Sequence, residues 1–396
     1  MLKVLGVLAF VVALLMSVMI HEFGHFLTAK RFGMKVTEFF LGFGTKLWSF
    51  QRGETEFGIK AIPAGGYCRI VGMSTHEQLS TEDEPRAFIR ASTPRRLIVL
   101  GAGSCTHFLL GFLLIFIIFI GIGVQAIQPV IEQVLPCLTT SSKPCASSAP
   151  LSPALSAGLK PGDRILSVNG EKVVDWSKDI LIIRASAGKP VALVLQRGSE
   201  KLAITVIPAT EVIDRKTIGM LGIMSKVGLQ RESFITATKD TGALSWNLFS
   251  TSITSLISIP TKVPALFRQT FMGAKRDPYG LVGVVGVAQA SAATAGNSYM
   301  STGKKVETFL LIIASLNIFV GIFNLLPLLP LDGGHMAVAL VDGFRRSRAR
   351  RRGLPEPSLV DLQVLTPITI VVFVLLVGLS LMLLAADIFN PVHFNL

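Results

Sequence analysis

The sequence predicts a polytopic α-helical membrane protein with four transmembrane helices, a membrane-associated β-hairpin and an inserted α/β domain outside the cytoplasm. Half of the 396 residues are apolar, and many of them lie in long runs without charge. A run of about 20 such residues spans a bilayer as a helix. The stretch between the second and third runs is long enough to fold as a separate domain. Basic residues gather beside the runs, which is typical of membrane topology signals.

Four uncharged apolar runs predict the transmembrane helices. In chain order, the runs are Val4–Ile20, Phe108–Ile127, Phe309–Leu331 and Pro367–Ala386. We expect helices over residues 3–27, 99–127, 307–331 and 365–387. The third run contains Pro327 and Pro330, so this helix should be broken near its end. The first run lacks the small-residue cleavage site of a secretory signal peptide, and we expect it to be retained.

The net charge of +13 follows the predicted topology and does not indicate nucleic acid binding. Lysines and arginines cluster after the first run, before the second, and between the third and fourth. The clusters are Lys30, Arg31 and Lys35; Arg95 and Arg96; and Arg345, Arg346, Arg348, Arg350, Arg351 and Arg352. Positive charge beside a span marks the cytoplasmic side. All three clusters lie on that side if the N-terminus is outside, which places residues 128–305 outside the cytoplasm.

The segments between the spans predict four parts along the chain. Residues 1–127 form the first half of a membrane core, with a β-hairpin at 36–73 that turns at Arg52-Gly53-Glu54. Residues 128–226 form a compact α/β domain outside the membrane. Residues 227–305 form an amphipathic connector, in which Gly242–Ile259 indicates an interfacial helix ended by Pro260. Residues 306–396 form the second half of the core, with a basic loop at 343–357.

The four cysteines fall in two different settings. Cys137 and Cys145 lie in the external part, where a disulfide between them is chemically permitted. Two free thiols are the alternative at these positions. Cys68 and Cys105 lie on the membrane side, where we expect them to serve as small apolar side chains.

The first predicted helix ends in an H-E-x-x-H pattern, His21-Glu22-Phe23-Gly24-His25. Positions i and i+4 share one helix face, so both imidazoles can bind one metal ion. Ionisable residues at membrane depth are energetically unfavourable and indicate function. Catalytic zinc sites use three protein ligands and leave one position open for water. The pattern therefore predicts zinc-dependent hydrolysis, with Glu22 as the acid and base.

Asp332, in Leu331-Asp332-Gly333-Gly334, is the predicted third ligand. His21 lies about 17 residues into a helix that starts outside, hence roughly 25 Å deep. Asp332 lies about as far along a span that also enters from outside. A single extra span between them would separate the two residues, which favours the interfacial placement of the connector helix. A second span near Gly280–Gly296 is the alternative that would restore the parity. His335 and His107 are the alternative ligands.

Three motifs together resemble the site-2 protease family. The motifs are H-E-F-G-H in the first span, I-P-A-G-G-Y-C-R-I-V-G-M at Ile62–Met73 and N-L-L-P-L-L-P-L-D-G-G-H at Asn324–His335. The resemblance covers nearly the whole chain and points to the PDZ-bearing bacterial branch of the regulator-of-sigma-E protease type, in its actinobacterial form. It implies one Zn²⁺ per chain. The implied site residues are His21, His25 and Asp332 as zinc ligands and Glu22 as the catalytic acid and base.

The resemblance also implies contacts with the substrate. Asn324 matches an asparagine that helps to hold the substrate in this family. The hairpin, with Gly65 and Gly66, resembles a segment that presents an unwound substrate as an added strand. The external domain resembles a PDZ domain, most visibly in Ala157–Gly170, and is implied to act as a gate or size filter. Its implied peptide loop is Gly219, Met220, Leu221 and Gly222.

The implied activity is regulated intramembrane proteolysis in a bacterial plasma membrane. The expected substrates are single-span proteins such as anti-sigma factors already cut by a site-1 protease, together with remnant signal peptides. No nucleic acid partner is expected. A catalytically inactive PDZ scaffold is one alternative, which the presence of Glu22 disfavours. A metal transporter is the other, and the sequence lacks the internal repeat that many transporters show.

The sequence departs from the family pattern in two places. The second span begins Gly101-Ala102-Gly103-Ser104-Cys105-Thr106-His107, where many relatives carry a proline and an asparagine. The external domain carries an additional segment between Cys137 and Cys145. Neither departure changes a predicted zinc ligand.

Overall fold

The computed structural model describes residues 1–73, 79–138, 145, 149–213, 216–277 and 280–392. These residues form two compact units. The membrane unit comprises Met1–Gly121 and Ser233–Leu396, and the inserted unit comprises Ile122–Glu232.

The described residues contain nine α-helices and ten β-strands. The helices are α1 (Leu2–Arg31), α2 (Thr93–Ile117), α3 (Pro153–Ser156), α4 (Trp176–Ala185), α5 (Phe234–Phe271), α6 (Val284–Gly296), α7 (Thr302–Asn324), α8 (Asp332–Arg351) and α9 (Leu362–Phe389). The strands are β1 (Val36–Arg52), β2 (Thr55–Ile70), β3 (Val124–Val134), β4 (Arg164–Val168), β5 (Glu171–Lys172), β6 (Val191–Arg197), β7 (Glu200–Val206), β8 (Ala209–Ile213), β9 (Lys216–Met220) and β10 (Ile223–Gln230).

Four helices of the described chain are long and apolar enough to cross a membrane. They are α1, α2 with its π-helical extension to Ile122, α7 and α9. In chain order, the inserted unit comes between the second and third of these helices, and it contains a β-sheet. The chain is therefore a multi-pass membrane protein with an inserted β-sheet domain, as the sequence predicts. The predicted end of the second span at residue 127 is wrong, because the helix ends at Ile122 and β3 begins at Val124, after Gly123 with a φ of +93°.

Helix α1 packs closely against both α2 and α6. A Cβ atom at Gly24 would lie 2.7 Å from the carbonyl oxygen of Ala102 on α2. A Cβ atom at Gly6 would lie 2.7 Å from the carbonyl oxygen of Ser291 on α6. Because neither position has room for a side chain, the two glycines set how closely these helices approach α1.

Strands β1 and β2 form an antiparallel hairpin that folds back on itself. Leu41 pairs with both Ile59 and Gly66, so the first half of β1 lies between the two halves of β2. The segment Gly66–Ile70 is consequently an outer strand, paired with β1 on one side. Within the described parts of the chain, no other strand pairs with its second side.

The prediction that a helix ends at Pro260 is wrong. Helix α5 runs without interruption from Phe234 to Phe271, through Pro260 and Pro264. A proline inside a helix removes one hydrogen bond and strains the preceding turn. Both prolines are exposed. The missing hydrogen bonds are therefore on the exposed side of α5, opposite the side that contacts α2, α7 and α9.

The chain after the third span also differs from the prediction. The span ends at Asn324 and not at residue 331, and helix α8 begins at Asp332 and continues to Arg351. The loop predicted at 343–357 is therefore helical over its first half. Alanine and arginine are good helix formers, and Asp342 fixes the helix by a buried ion pair of 3.2 Å with Arg96 of α2.

The inserted unit is an antiparallel sheet covered by α4. Its strand order is β10-β3-β4-β6-β7, with β5 paired to β4, and β8 and β9 form a separate ribbon. The largest core side chains come from the central strands and the helix, and include Ile131, Ile165, Trp176, Leu193 and Leu195. A disulfide joins Cys137 to Cys145.

Candidate metal centre

Two histidines from α1 and one aspartate from the start of α8 converge inside the membrane unit. The Nε2 atoms of His21 and His25 lie 3.1 Å apart. The Oδ2 atom of Asp332 lies 3.2 Å from Nε2 of His21 and 3.3 Å from Nε2 of His25. Both histidines are buried, and Asp332 is half-buried. The structure thus brings together the three residues predicted as metal ligands.

The spacing of these three atoms fits a tetrahedral metal ion. Zinc binds imidazole nitrogen and carboxylate oxygen at about 2.0–2.1 Å, so two such ligands at a tetrahedral angle lie about 3.3–3.4 Å apart. The three separations, 3.1 to 3.3 Å, are close to that value. Oδ2 of Asp332 is buried and has no hydrogen-bond partner among the described residues. A cation at the centre would satisfy this oxygen, and the donor set is one that zinc prefers.

A hydrogen bond to α2 orients the imidazole of His25. Its Nδ1 atom lies 2.7 Å from the carbonyl oxygen of Val99. A carbonyl oxygen only accepts, so Nδ1 carries the proton and Nε2 presents a lone pair to the cluster. Nδ1 of His21 is buried without a hydrogen-bond partner in the described part of the chain. The His21 ring therefore lacks the Nδ1 contact that Val99 gives to His25, and it lies between Gly103 and His107.

Gly103 of α2 lies directly against both imidazoles. A Cβ atom at this position would lie 2.5 Å from Nε2 of His25 and 2.5 Å from Cε1 of His21. Any side chain here would displace the rings. Gly103 was not predicted as a site residue from the sequence, although glycines at positions 101 and 103 of a span are a sign of close helix packing.

The connection between α7 and α8 packs tightly over the first turn of α8. A Cβ atom at Gly333 would lie 2.3 Å from the carbonyl carbon and oxygen of Leu325, and one at Gly334 would lie 2.5 Å from the nitrogen of Leu329. The two glycines after Asp332 therefore allow the chain to fold back onto this turn. The fold-back fixes the backbone of Asp332 at the point where α8 begins.

Glu22 lies between the metal cluster and the outer strand of the hairpin. Its carboxylate interacts with the backbone of Cys68. A Cβ atom at Gly66 would lie 3.4 Å from Cγ of Glu22 and 2.9 Å from Sδ of Met19. Gly66 thus lets the strand pass close to α1, and Gly65 precedes it with a φ of +150°, which favours glycine.

A buried polar network next to the cluster was not identified from the sequence. Oδ1 of Asn317 on α7 accepts a hydrogen bond of 2.7 Å from Oγ of Ser17 and lies 2.8 Å from Nδ1 of His107. The ring centroids of His107 and His21 are 4.9 Å apart. All three network residues are buried. The network joins α1, α2 and α7 beside His21, and His107 does not belong to the metal cluster.

Two further candidates of the membrane unit lie outside the three-atom cluster. Asn324 is the last residue of α7 and is half-buried. His335 lines a small cavity with Arg96 and Asp342. Neither side chain contributes an atom to the metal cluster.

The predicted peptide loop of the inserted unit is partly strand. Gly219 and Met220 are the last residues of β9, and Leu221 is buried in the core of the unit. Gly222 follows with a φ of +78° before β10 begins. Trp176 of α4 donates a hydrogen bond of 2.9 Å from its indole nitrogen to Oγ of Ser225 on β10, which ties this strand to the helix.

The sequence profile of Peptidase family M50 matches residues 9–355. The match covers most of the chain and includes every residue of the metal cluster. This chain belongs to peptidase family M50. The M50 peptidases are the site-2 protease family that the three motifs predicted, so that prediction is confirmed.

Several proteins are similar to this M50 peptidase along nearly all of its length. Zinc metalloprotease Rip1 of Mycobacterium tuberculosis is 34% identical over an alignment of 408 positions, which covers 99% of each chain. Putative zinc metalloprotease CPE1693 of Clostridium perfringens is 27% identical and covers 95% of this chain and 96% of its own. Regulator of sigma-E protease RseP of Salmonella typhimurium is 26% identical and covers 85% and 90%.

Proposed function

We propose that this M50 peptidase is an intramembrane zinc metalloprotease that cleaves single-span membrane proteins within or beside their transmembrane helices. The convergence of three ligand atoms within 3.3 Å of one another, directly beside Glu22, carries the proposal. His21, His25 and Asp332 bind one Zn²⁺ per chain. The zinc metalloprotease names of the relatives support the same metal and reaction.

Each residue of the site has its own role in hydrolysis. Bound zinc supplies a Lewis acid that polarises the scissile carbonyl group and makes the attacking water more acidic. Glu22 takes the proton from this water and returns it to the leaving amine. Val99 keeps the lone pair of His25 directed at the metal site through the hydrogen bond to Nδ1. The buried setting excludes bulk water and strengthens these electrostatic interactions.

The outer strand of the hairpin holds the substrate in an extended conformation. A transmembrane helix keeps its backbone groups in its own hydrogen bonds and has to be unwound before hydrolysis. The second side of Gly66–Ile70 offers backbone groups for strand addition, and Gly65 and Gly66 bring that strand close to Glu22. Asn324, at the end of α7, contacts the substrate from the other half of the core.

The inserted unit acts as a PDZ domain outside the cytoplasm. The unit, Ile122–Glu232, contains the sheet, helix α4 and the peptide loop at Gly219–Gly222. It admits substrates whose outer domain a site-1 protease has already removed. With the N-terminus outside and the arginine-rich end of α8 inside, cleavage releases a cytoplasmic fragment. Anti-sigma factors and remnant signal peptides in a bacterial plasma membrane are the substrates we infer.

The first test replaces Glu22 with glutamine. Wild type and Glu22→Gln are each co-expressed with a tagged single-span substrate already truncated outside, and the cytoplasmic fragment is followed by immunoblot. Zinc content is measured on both purified proteins. We expect Glu22→Gln to keep its zinc and to release at least about 100-fold less fragment, as for loss of a general base.

Glu171→Gln, at an exposed position of the inserted unit, is the matched control and should cleave like wild type. Equal fragment release by wild type and Glu22→Gln would assign the cut to another enzyme. The chain would then be a catalytically inactive membrane scaffold with a metal site.

A further inference from the structure

Helix α8 extends past the end of α2. Asp342 forms its buried ion pair with Arg96, near the first turn of α2. A Cβ atom at Gly343 would lie 2.8 Å from the side chain of Thr93, the first residue of α2. Gly343 is therefore level with the end of that span. The remaining turns of α8 lie beyond it, at the depth where a bilayer presents its headgroups.

One face of this part of α8 is exposed and changes from apolar to basic along the helix. Leu340, Val341 and Phe344 are 54%, 49% and 68% exposed. At about 100° per residue, Arg345, Arg348 and Arg351 fall on the same side of the helix. The opposite side carries the buried residues Asp342 and Ala349. We call the six exposed residues the arginine face. They are Leu340, Val341, Phe344, Arg345, Arg348 and Arg351.

The three arginines of this face have no acidic partner among the described residues. By contrast, Lys30 and Arg86 both pair with Glu54 beside the hairpin, and Arg350 pairs with Glu356. Three uncompensated positive charges on one side of a helix attract anions. Arginine presents a planar fork of donors that matches a phosphate group in a bidentate manner.

We propose that the arginine face binds the phosphate groups of anionic phospholipids in the adjoining leaflet. Its order of residues matches the order of layers in a bilayer. The apolar residues are level with the end of the span, where acyl chains begin, and the arginines follow at headgroup depth. Anionic headgroups supply the charge complementarity that the uncompensated arginines require.

The experiment measures lipid selectivity of the full chain, which does not depend on proteolysis. Wild type is reconstituted in phosphatidylcholine bilayers containing spin-labelled phosphatidylglycerol or spin-labelled phosphatidylcholine, and the immobilised lipid fraction is compared. We expect wild type to prefer phosphatidylglycerol. The triple variant Arg345→Gln, Arg348→Gln, Arg351→Gln should lower the preference by about fivefold or more, because each basic residue near the surface contributes on this scale.

A matched control removes the same charge elsewhere. Arg164→Gln, Lys172→Gln, Lys201→Gln changes three exposed positions of the inserted unit and should keep the wild-type preference. The circular dichroism spectrum of each variant checks that its helices are intact. Adding inorganic phosphate should leave the preference unchanged.

Four results would overturn the proposal. Wild type could show no preference for phosphatidylglycerol, or the arginine triple variant could keep it. Loss of the preference in inorganic phosphate would instead assign the surface to free anions. An equal loss of the preference in both triple variants would show that the preference depends only on the net charge of the protein.

Discussion

Gly103 determines how closely α2 approaches the two imidazoles, since no side chain separates its Cα from His21 and His25. The hydrogen bond from His25 to Val99 comes from the same helix, one turn earlier. Helix α2 therefore shapes the cluster without contributing a ligand. Such outer contacts orient metal ligands and raise the affinity for the metal.

We expect Gly103→Ala to lower zinc affinity by about 10- to 100-fold, the range for lost outer-shell support. The added methyl group would overlap both rings and push them apart. Zinc content after dialysis against a weak chelator measures the effect. Gly101→Ala is the control, because its Cβ atom would meet only Met336, at an ordinary 3.7 Å. Equal zinc content in the two variants would contradict the role of Gly103.

Asp163 gives the inserted unit a stability that depends on pH. Its side chain is fully buried and accepts hydrogen bonds of 2.7 Å from Nε and Nη2 of Arg197. The guanidinium of Arg197 holds the pKa of Asp163 below its usual range. Because folding lowers this pKa, the ionised side chain stabilises the folded state at pH values above the ordinary aspartate pKa, about 3.9. That contribution is lost as the pH falls from there through the lowered value.

We therefore expect Asp163→Asn to destabilise the inserted unit by about 1–3 kcal/mol near pH 7. The difference from wild type should shrink as the pH falls below about 4. Fluorescence of Trp176, which is buried in this unit, reports unfolding when Trp48 and Trp246 are replaced by phenylalanine. A difference that stays constant from pH 7 to pH 3 would refute this assignment.

The residues with chemical function could be chosen from the sequence, whereas those that pack around them could not. His21, Glu22 and His25 stand at helical spacing in an apolar run, and Asp332 follows from counting spans. Their roles as ligands and base remain predictions. Gly103 and Asn317 matter because of which helix faces meet, and that information is spread over the whole chain. An asparagine in the middle of an apolar span was a sign of a buried polar contact, but the partners of Asn317 could not be predicted.

At the scale of elements, the junction of α7 and α8 decides where Asp332 lies. The connecting segment rests on Gly333 and Gly334, and the ion pair of Asp342 with Arg96 fixes α8 two turns later. A helix that continued straight from α7 would carry Asp332 away from the end of α1. The break is therefore a requirement of the site.

Gly333→Ala should destabilise the membrane unit by about 1–3 kcal/mol or more, the usual effect of overpacking. It should also lower zinc content, because the fold-back over Asp332 would open. Gly378→Ala is the control: its Cβ atom would meet nothing within 4 Å, and alanine is the better helix former. Thermal unfolding in detergent compares the two variants. An unchanged transition in Gly333→Ala would show that the segment adapts freely.

Element types were easier to predict than their ends. The four spans appear as helices because long apolar runs have few other stable structures in a bilayer. The predicted ends of helices were wrong where local sequence preferences and tertiary packing favour different ends. Pro260 does not stop α5, because the helix is held by contacts on its other side. Residues 343–351 are helical because α8 is anchored at Asp342, a contact that no local pattern reveals.

At the scale of the whole molecule, each unit has its own hydrophobic core. One core lies in the sheet and helix of the inserted unit, and another joins α1, α2, α8 and the hairpin in the membrane unit. The metal cluster belongs entirely to the membrane unit. Metal binding should therefore stabilise one unit and not the other.

We expect zinc removal by a strong chelator to lower the unfolding temperature of the membrane unit. A ligand at about 1,000 times its Kd contributes roughly 4 kcal/mol. The unfolding of the inserted unit, followed by Trp176 fluorescence, should not change. Re-addition of zinc should restore the first transition, and Asp332→Asn should show little response to the chelator. An equal shift of both transitions would contradict separate folding units.

The two halves of the metal cluster are made at very different times. Ser17 and Asn317, which meet beside His21, are 300 residues apart, and Asp332 comes later still. A ribosome adding about 5–20 residues per second needs roughly 15–60 s for that interval. During this interval, the nascent chain contains His21, Glu22 and His25 but still lacks Asp332, the third predicted ligand. We therefore expect a nascent chain, or one that terminates before Asp332, to be inactive.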